Sequence, residues 1–392
     1  MTAPIYIHFA GTIGILSLGV WLHLAFGRGG FWCVRKFDVD DAETKPLDEW
    51  PAVVAIVPAR NEAESIAQVV GSLAAQDYPG EFSVLIVDDH SEDATASIAI
   101  RTAEEQNATA RIRLLQASSL PAGWTGKLWA LQNGVTAVSA NAPFYYWFTD
   151  ADITHARGTL RRLVAQTERE KLDLASLMVL LQAKNLAERA LIPAFLYFFL
   201  MLYPPKWISD EELNTAGAAG GCILLRSSAL NRIGGLAAIR GEVIDDCALA
   251  AAIKRSGGRI WMGLTRQSRS LRQYNSFGEL RDLIARTAFT QLRYSALLLL
   301  GTLLSLALTY LAPVALLFVR DSPSRILGAL AWVLMSLTFL PTVRFYRLSL
   351  FWAPLLPLIA VFYSYATVLS AIRYWRGAGG GWKGRSQAPH TS

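Results

Sequence analysis

The sequence predicts an α/β domain with a mainly parallel sheet flanked by helices, joined to transmembrane helices. Three observations carry that expectation. From about residue 50 to residue 294, short runs rich in Val and Ile alternate with stretches of helical spacing. Acidic clusters stand where several of those runs end. Outside this region lie long stretches with barely any charge, which is the composition of segments that cross hydrocarbon.

The apolar stretches come first in the chain. Ile5 to Phe26 is apolar apart from His8, His23 and a few hydroxyls, and at ~1.5 Å of rise per residue it is long enough to span a bilayer. No basic residue precedes it and Arg28, Arg35 and Lys36 follow, the reverse of a secretory signal. Three further candidates run from Ser295 to Val319, Ile326 to Val343 and Ser349 to Ile372. The expected organisation is a transmembrane helix over 1–27, a cytoplasmic domain with interfacial helices over 28–294, about three transmembrane helices over 295–375 and a polar tail over 376–392. Arg28, Arg35 and Lys36 at one edge of the domain, with Arg281, Arg286 and Arg293 at the other, place it in the cytoplasm by the positive-inside rule. The chain is therefore expected to be an integral membrane protein. Four crossings would then leave Arg373, Arg376, Lys383 and Arg385 outside, so either one C-terminal segment is re-entrant or interfacial, or the local charge bias is overruled.

The net charge of +6 resides largely in these juxtamembrane residues and suits anionic lipid headgroups rather than nucleic acid. Cys33, Cys222 and Cys247 are too few and too scattered for a disulfide framework or a zinc site.

Within the domain, Ala52 to Pro58 reads as a strand, and the helical stretch behind it places Ile66, Val69, Val70 and Leu73 on one face. Phe82 to Val87 is a second strand, with Ser91 to Asp93 able to cap a helix reaching about Gln106. Ile112 to Leu115 is a third. Leu128, Leu131, Val135 and Val138 then lie at helical spacing before an aromatic strand, Phe144 to Thr149, that ends in Asp150-Ala151-Asp152. In parallel α/β sheets ligands bind beyond the carboxyl ends of the strands. Ala59-Arg60-Asn61-Glu62, Asp88-Asp89-His90-Ser91 and Asp150-Ala151-Asp152 all stand at such ends. Singly each could cap a helix. Together they favour a nucleotide site, with Asp150 and Asp152 as ligands for a hard divalent cation, Mg²⁺ or Mn²⁺, that also holds substrate phosphates.

These motifs give the chain its resemblance to the family 2 glycosyltransferases, inverting enzymes with a GT-A nucleotide-sugar-binding fold. The matching residues are Val57 to Glu62, Val87 to Asp93, Gly126-Lys127, Thr149 to Asp152 and Ile244-Asp245-Asp246, and the likeness covers roughly 50–294. It implies that Pro58, Arg60, Glu62, Asp88, Asp89, Lys127, Asp150 and Arg293 serve the nucleotide sugar, and that Asp150 and Asp152 hold the metal. It also implies that Gly220, Gly221 and Cys222 belong to the acceptor region. The acidic pair aligns with the family's catalytic pair, which makes Asp246 the base and Asp245 the second choice; the competing reading is a charged first turn of the helix that follows. Lys127 competes with a solvated lysine, Arg293 with an interfacial snorkelling arginine, and the glycines with a tight turn. His155 reads as an uninvolved surface residue.

One motif departs from the family. Thr290-Gln291-Leu292-Arg293-Tyr294 stands where processive members carry Gln-x-x-Arg-Trp, which argues against polymer synthesis. Leu186 to Pro205, interrupted by Pro193, Pro204 and Pro205, reads as an interfacial helix beside which a lipid acceptor could enter, with a buried core helix as the competing reading. The whole chain resembles the bacterial hopene-associated glycosyltransferases and is similar to ceramide glucosyltransferases. The resemblance implies transfer of one sugar from a nucleotide-diphosphate sugar, with a UDP-sugar expected, to a membrane lipid. Its rivals are a processive polysaccharide synthase and a non-catalytic nucleotide-binding scaffold.

Overall fold

The computed structural model describes residues 3–39, 47–377, 381–382 and 385–386. Of the tail expected over 376–392, Lys383 lies outside the described residues. The chain divides into two compact units, one built on residues 37–182 and 207–273 and the other on 1–36, 183–206 and 274–380.

The first unit is an eight-stranded mixed sheet. Its strands are β1 (Val53–Ala59), β2 (Phe82–Asp88), β3 (Ile112–Gln116), β4 (Tyr145–Thr149), β5 (Ile153–His155), β6 (Leu174–Leu180), β7 (Cys222–Arg226) and β8 (Ile260–Ser270). They lie in the order β3-β2-β1-β4-β7-β6-β8-β5. β1 pairs in parallel with both β2 and β4, β2 with β3, and β6 with β8, whereas β7 runs antiparallel between β4 and β6. The parallel half follows from the sequence: consecutive strands joined by crossover helices must run the same way, and burial on both faces favours unbroken runs such as Val53–Ala59.

The helices cover the sheet as the apolar spacing requires. Ile66–Ala74 buries Ile66, Val69, Val70 and Leu73, the face expected from the sequence, with each such side chain contributing ~1.5–3 kcal/mol. Helix Gly126–Ala137 lies so close over β1 that a Cβ on Gly134 would fall 2.5 Å from Ile56 Cγ2. A side chain there would force the helix off the strand that carries the first site loop.

The second unit is helical. It contains Ala3–Leu22, extended through Gly27, then Leu186–Leu202, Phe277–Gln291, Ala296–Leu306 continued through Leu316, Ser322–Phe345 and Leu356–Trp375, the last preceded by a short 3-10 helix at Leu350–Leu355. Among the described residues, five helices are long and apolar enough to cross a membrane: the four expected, and Leu186–Ile208 in addition. This unit is apolar outward, with Leu297 77 % and Phe318 84 % exposed, and polar groups turned in. Trp21 Nε1 donates to the Thr309 carbonyl at 2.7 Å, the Tyr197 hydroxyl meets Thr338 Oγ1 at 2.8 Å, and the Tyr363 hydroxyl donates to the Leu191 carbonyl at 2.9 Å. Hydrocarbon cannot satisfy such groups, so helix partners do.

Candidate active site

The loops that follow β1 and β2 brace one another. Asn61 and His90 both adopt left-handed backbone, with φ of 51° and 54°, which turns each loop sharply off its strand. The Asn61 N–H donates to Ser91 Oγ at 3.0 Å, and the Glu92 N–H returns a bond to Asn61 Oδ1 at 2.8 Å. Arg60 uses its buried guanidinium on the carbonyls of Asp89 at 2.5 Å and His90 at 3.1 Å, so it ties the two loops together. Asp89 is wholly buried and its N–H donates to the Ala59 carbonyl at 2.8 Å. Asp88 Oδ2 accepts from the Ser91 N–H at 3.3 Å, while its buried Oδ1 has no hydrogen-bond partner. A buried acceptor with an open lone pair costs free energy unless a donor arrives.

The acidic triplet after β4 sits beside this frame. The Ala151 carbonyl accepts from Ser65 Oγ at 2.9 Å, and the Asp152 carbonyl accepts from the Leu271 N–H at 2.7 Å, which fixes the triplet's backbone from both sides. Burial, together with Asp150 and Glu62 nearby, raises the Asp152 carboxyl well above its ordinary value, and Arg272 offsets part of that. Arg272 escaped the sequence reading because no motif marks it.

Lys127 is the hub of the constellation. As the second residue of helix Gly126–Ala137 it reaches Asp150 Oδ1 at 2.7 Å and Asp245 Oδ2 at 3.7 Å. Burial opposes its charge, yet Asp150 and Asp245 outweigh that and hold the ammonium above its ordinary range. Asp245 and Asp246 open helix Asp245–Arg255, and the helix N-terminus favours their negative charge. Asp246 Oδ2 accepts from the Gly220 N–H at 2.8 Å and Oδ1 from the Cys247 N–H at 2.7 Å. Burial and the neighbouring Asp245 push its carboxyl up to about 6, against the pull of Lys127 and the two amides. Pro58, Lys127, Asp150, Gly220, Asp245 and Asp246 line one pocket. Residues separated by more than a hundred positions in sequence thus meet at the ends of β1, β4 and β7.

Cys222 and His155 stand differently from their sequence reading. Cys222 points into the core, where its Sγ accepts from Trp147 Nε1 at 3.3 Å and burial pushes the thiol up to about 12, so its side chain takes no part in an acceptor surface. Gly220 stands against the acidic pair: a Cβ there would fall 3.1 Å from Asp246 Oδ2 and 3.2 Å from Lys127 Nζ, whereas one at Gly221 would meet Ile153 and Val179 at an ordinary 3.4 Å. His155 is buried rather than on the surface. It lies between Thr149 Oγ1 at 2.7 Å and Ser268 Oγ at 2.8 Å, and burial lowers its pKa to about 3, so it is a neutral core residue. The pairing of β5 with β8 that encloses it has no local signal in the sequence. Arg293 belongs to the helical unit, where it and Tyr294 have φ of 51° and 57° and end the Phe277–Gln291 helix.

Among the described residues no group of three or more His, Cys, Asp and Glu side chains converges as a metal cage. A hard cation that keeps water and substrate phosphates needs only one or two protein carboxylates. Asp150 and Asp152, crowded enough for burial and repulsion to raise Asp152, suit that smaller donor set.

Residues 54–234 match the pattern of "Glycosyl transferase family 2". This segment is a family 2 glycosyltransferase domain. Among solved structures, the mannosyltransferase of Pyrobaculum calidifontis in complex with GDP-Man and Mn²⁺ is similar over 93 % of this chain and 99 % of its own, at 20 % identity and a TM-score of 0.56. At that identity the likeness speaks for the GT-A fold. An N-acetylglucosaminyltransferase of Rhizobium meliloti (strain 1021) is 44 % identical over 63 residues, 16 % of this chain. The match spans only 14 % of that relative's length.

Proposed function

We propose that the protein is an inverting, membrane-bound glycosyltransferase that moves one sugar from a nucleotide-diphosphate sugar to the hydroxyl of a membrane lipid, with Asp246 as the base. One observation carries the reading: Lys127, Asp150 and the Asp245–Asp246 pair share a single pocket at the strand ends of a glycosyltransferase domain.

Inverting transfer needs an acceptor oxygen to attack the anomeric carbon as the bond from that carbon to the diphosphate breaks. The bond's electron pair leaves on the diphosphate, and the acceptor's proton passes to a carboxylate. Asp246 suits that task because its carboxyl, raised to about 6, is a stronger base than an ordinary aspartate and is still ionised at neutral pH. The Gly220 and Cys247 amides orient it. Asp150 and Asp152 would hold a divalent cation, Mg²⁺ or Mn²⁺, which supplies Lewis-acid stabilisation of the leaving diphosphate. Lys127 lies between the two carboxylate sets and brings a cation to the same charge. Glu62, Asp88 and Asp89 would face the nucleoside, where the open Oδ1 of Asp88 awaits a donor. Pro58 borders the pocket, and Arg60 serves by fixing the nucleotide-facing loops.

A UDP-sugar donor, a lipid acceptor of hopanoid-associated type and a cytoplasmic inner-membrane setting rest on the whole-chain resemblance. The apolar helices support the lipid part. Purified protein with Mn²⁺ or Mg²⁺, labelled nucleotide sugars and lipid extract should yield a labelled lipid bearing one sugar. No labelled lipid with any donor, or a fully active Asp246→Asn enzyme, would refute the proposal.

A further inference from the structure

We infer that the last apolar segment does not cross the membrane: it enters as a hairpin and returns, so that the helical unit gathers its basic residues on one face and presents them to an anionic leaflet.

Side-chain contacts within this unit set the directions of its helices. Gly11 lies by Ser324, Gly14 by Leu327 and Leu316, and Trp21 by Thr309. Helix Ala3–Leu22 is therefore parallel to Ser322–Phe345 and antiparallel to the segment from Ala296 to Leu316. The connection at Arg320 and Asp321 sits near Gly11, sixteen residues or about 24 Å along the helix from Gly27. At the other end, Phe31 packs on Tyr197, which packs on Phe339 toward the close of Ser322–Phe345.

Ser322–Phe345 thus ends at the Gly27 face, and an ordinary further span would carry the chain away again. It does not. Segment Leu350–Leu355 climbs back beside Ser322–Phe345 until the Pro354 carbonyl accepts from Trp332 Nε1 at 3.0 Å, in the helix's middle. Helix Leu356–Trp375 then turns and descends. Its Ala371 and Tyr374 join Leu299 and Phe289 in one cluster, with Tyr374 stacked on Tyr294 at 4.3 Å, beside the start of the Ala296 helix. Along the same stretch Phe277 meets Phe362, Ser370 Oγ receives the Phe289 N–H at 3.1 Å, and Arg373 pairs with Asp282 at 2.6 Å. Helix Phe277–Gln291 carries Glu279, Arg281, Asp282 and Arg286, charges that hydrocarbon excludes, so the end of Leu356–Trp375 lies at the membrane face with them.

Leu186–Ile208 makes no net crossing either. It connects β6 to β7, which pair in one sheet, so the chain returns to the side it left. Three crossings remain, at His8–Gly27, Ala296–Leu316 and Ser322–Phe345. Arg28, Arg35, Lys36, Arg344, Arg373 and Arg376 then share a face with the arginines of Phe277–Gln291, and only Arg320 and Arg325 mark the opposite connection. That asymmetry satisfies the positive-inside rule which a fourth crossing breaks, and it suits a leaflet of anionic lipids.

The test is sidedness, which is independent of catalysis. Fluorescent-protein and alkaline-phosphatase reporters are fused after Lys36, within the Arg320–Asp321 connection and after Ser392 in the full chain. The first and third should report the same compartment and the second the other. In sealed vesicles, a protease site inserted after Arg347 should be cut from the side that cuts one placed after Lys36, which checks the result without a fusion. A reporter after Ser392 on the side of Arg320, or a site after Arg347 cut only from that side, overturns the inference.

Discussion

Replacing Gly220 by Ala tests the proposed base through geometry alone. Gly220 does not adopt left-handed backbone, so alanine fits the main chain, and Gly→Ala at such a site usually stabilises by ~0.4–1 kcal/mol. The new Cβ would stand 3.1 Å from Asp246 Oδ2, 3.2 Å from Lys127 Nζ and 3.4 Å from Asp246 Cβ. The first two are tighter than ordinary contact, so both charged tips must retreat by a few tenths of an ångström. The bond from the Gly220 N–H to Oδ2, now 2.8 Å, would lengthen toward the weak end of the hydrogen-bond range, and the carboxylate would swing away from the pocket. Misplacing a catalytic group by ~1 Å costs up to about 100-fold, so this smaller shift should lower kcat by about tenfold, or ~1.4 kcal/mol of barrier. Donor KM should move little and Tm should hold or rise. Gly221→Ala is the control, since its Cβ meets Ile153 and Val179 at 3.4 Å and should leave kcat within about twofold. Radiolabel transfer to lipid at saturating donor, with a thermal melt of each variant, decides the matter. Full kcat in Gly220→Ala, or equal losses in both variants, would show that Asp246 is not the base.

Other outcomes follow from the same geometry. A base must be ionised, so with the Asp246 carboxyl raised to about 6 the rate should fall by about tenfold per pH unit below that value. Lys127→Met removes a charge that lowers it, so this acid limb should move to higher pH; an unmoved limb would separate the limb from Asp246. Asp246→Asn should lose ~10²- to 10⁴-fold in rate while keeping nucleotide affinity measured by calorimetry. His155 is held near 3 when folded and sits near ~6.5 when unfolded, so below pH ~6.5 the unfolded chain binds the extra proton and stability falls by up to ~1.4 kcal/mol per pH unit; chemical denaturation should show that slope weakened in His155→Asn. Cys222, with its thiol pushed up to about 12 and its surface buried, should resist maleimide at pH 7.5 until the protein is denatured, which peptide mapping reads directly.

Much of the parallel half of the sheet was legible because its signals are local. Ile66, Val69, Val70 and Leu73 repeat at helical spacing and are the face that is buried, and the runs at 53, 82, 112 and 145 begin strands within a residue of where their composition places them. The site loops were legible for a related reason: a parallel crossover unit delivers every strand's carboxyl end to the same edge, so carboxylates at three such ends must be neighbours. The antiparallel half was not legible. β5 is three residues long and pairs with β8 more than a hundred positions later, and nothing in Ile153-Thr154-His155 says which partner encloses the imidazole.

The sequence alone therefore determined the α/β class, the candidate carboxylates and the existence of the apolar segments, since each depends on residue type and short-range spacing. Only the tertiary structure decided which groups face one another. It placed Gly220 against Asp246, made Lys127 the shared partner of Asp150 and Asp245, and turned Cys222 into the core. The direction of Leu356–Trp375 was also decided there: hydropathy measures how deeply a segment dissolves in lipid, whereas the neighbours it packs against set which way it points.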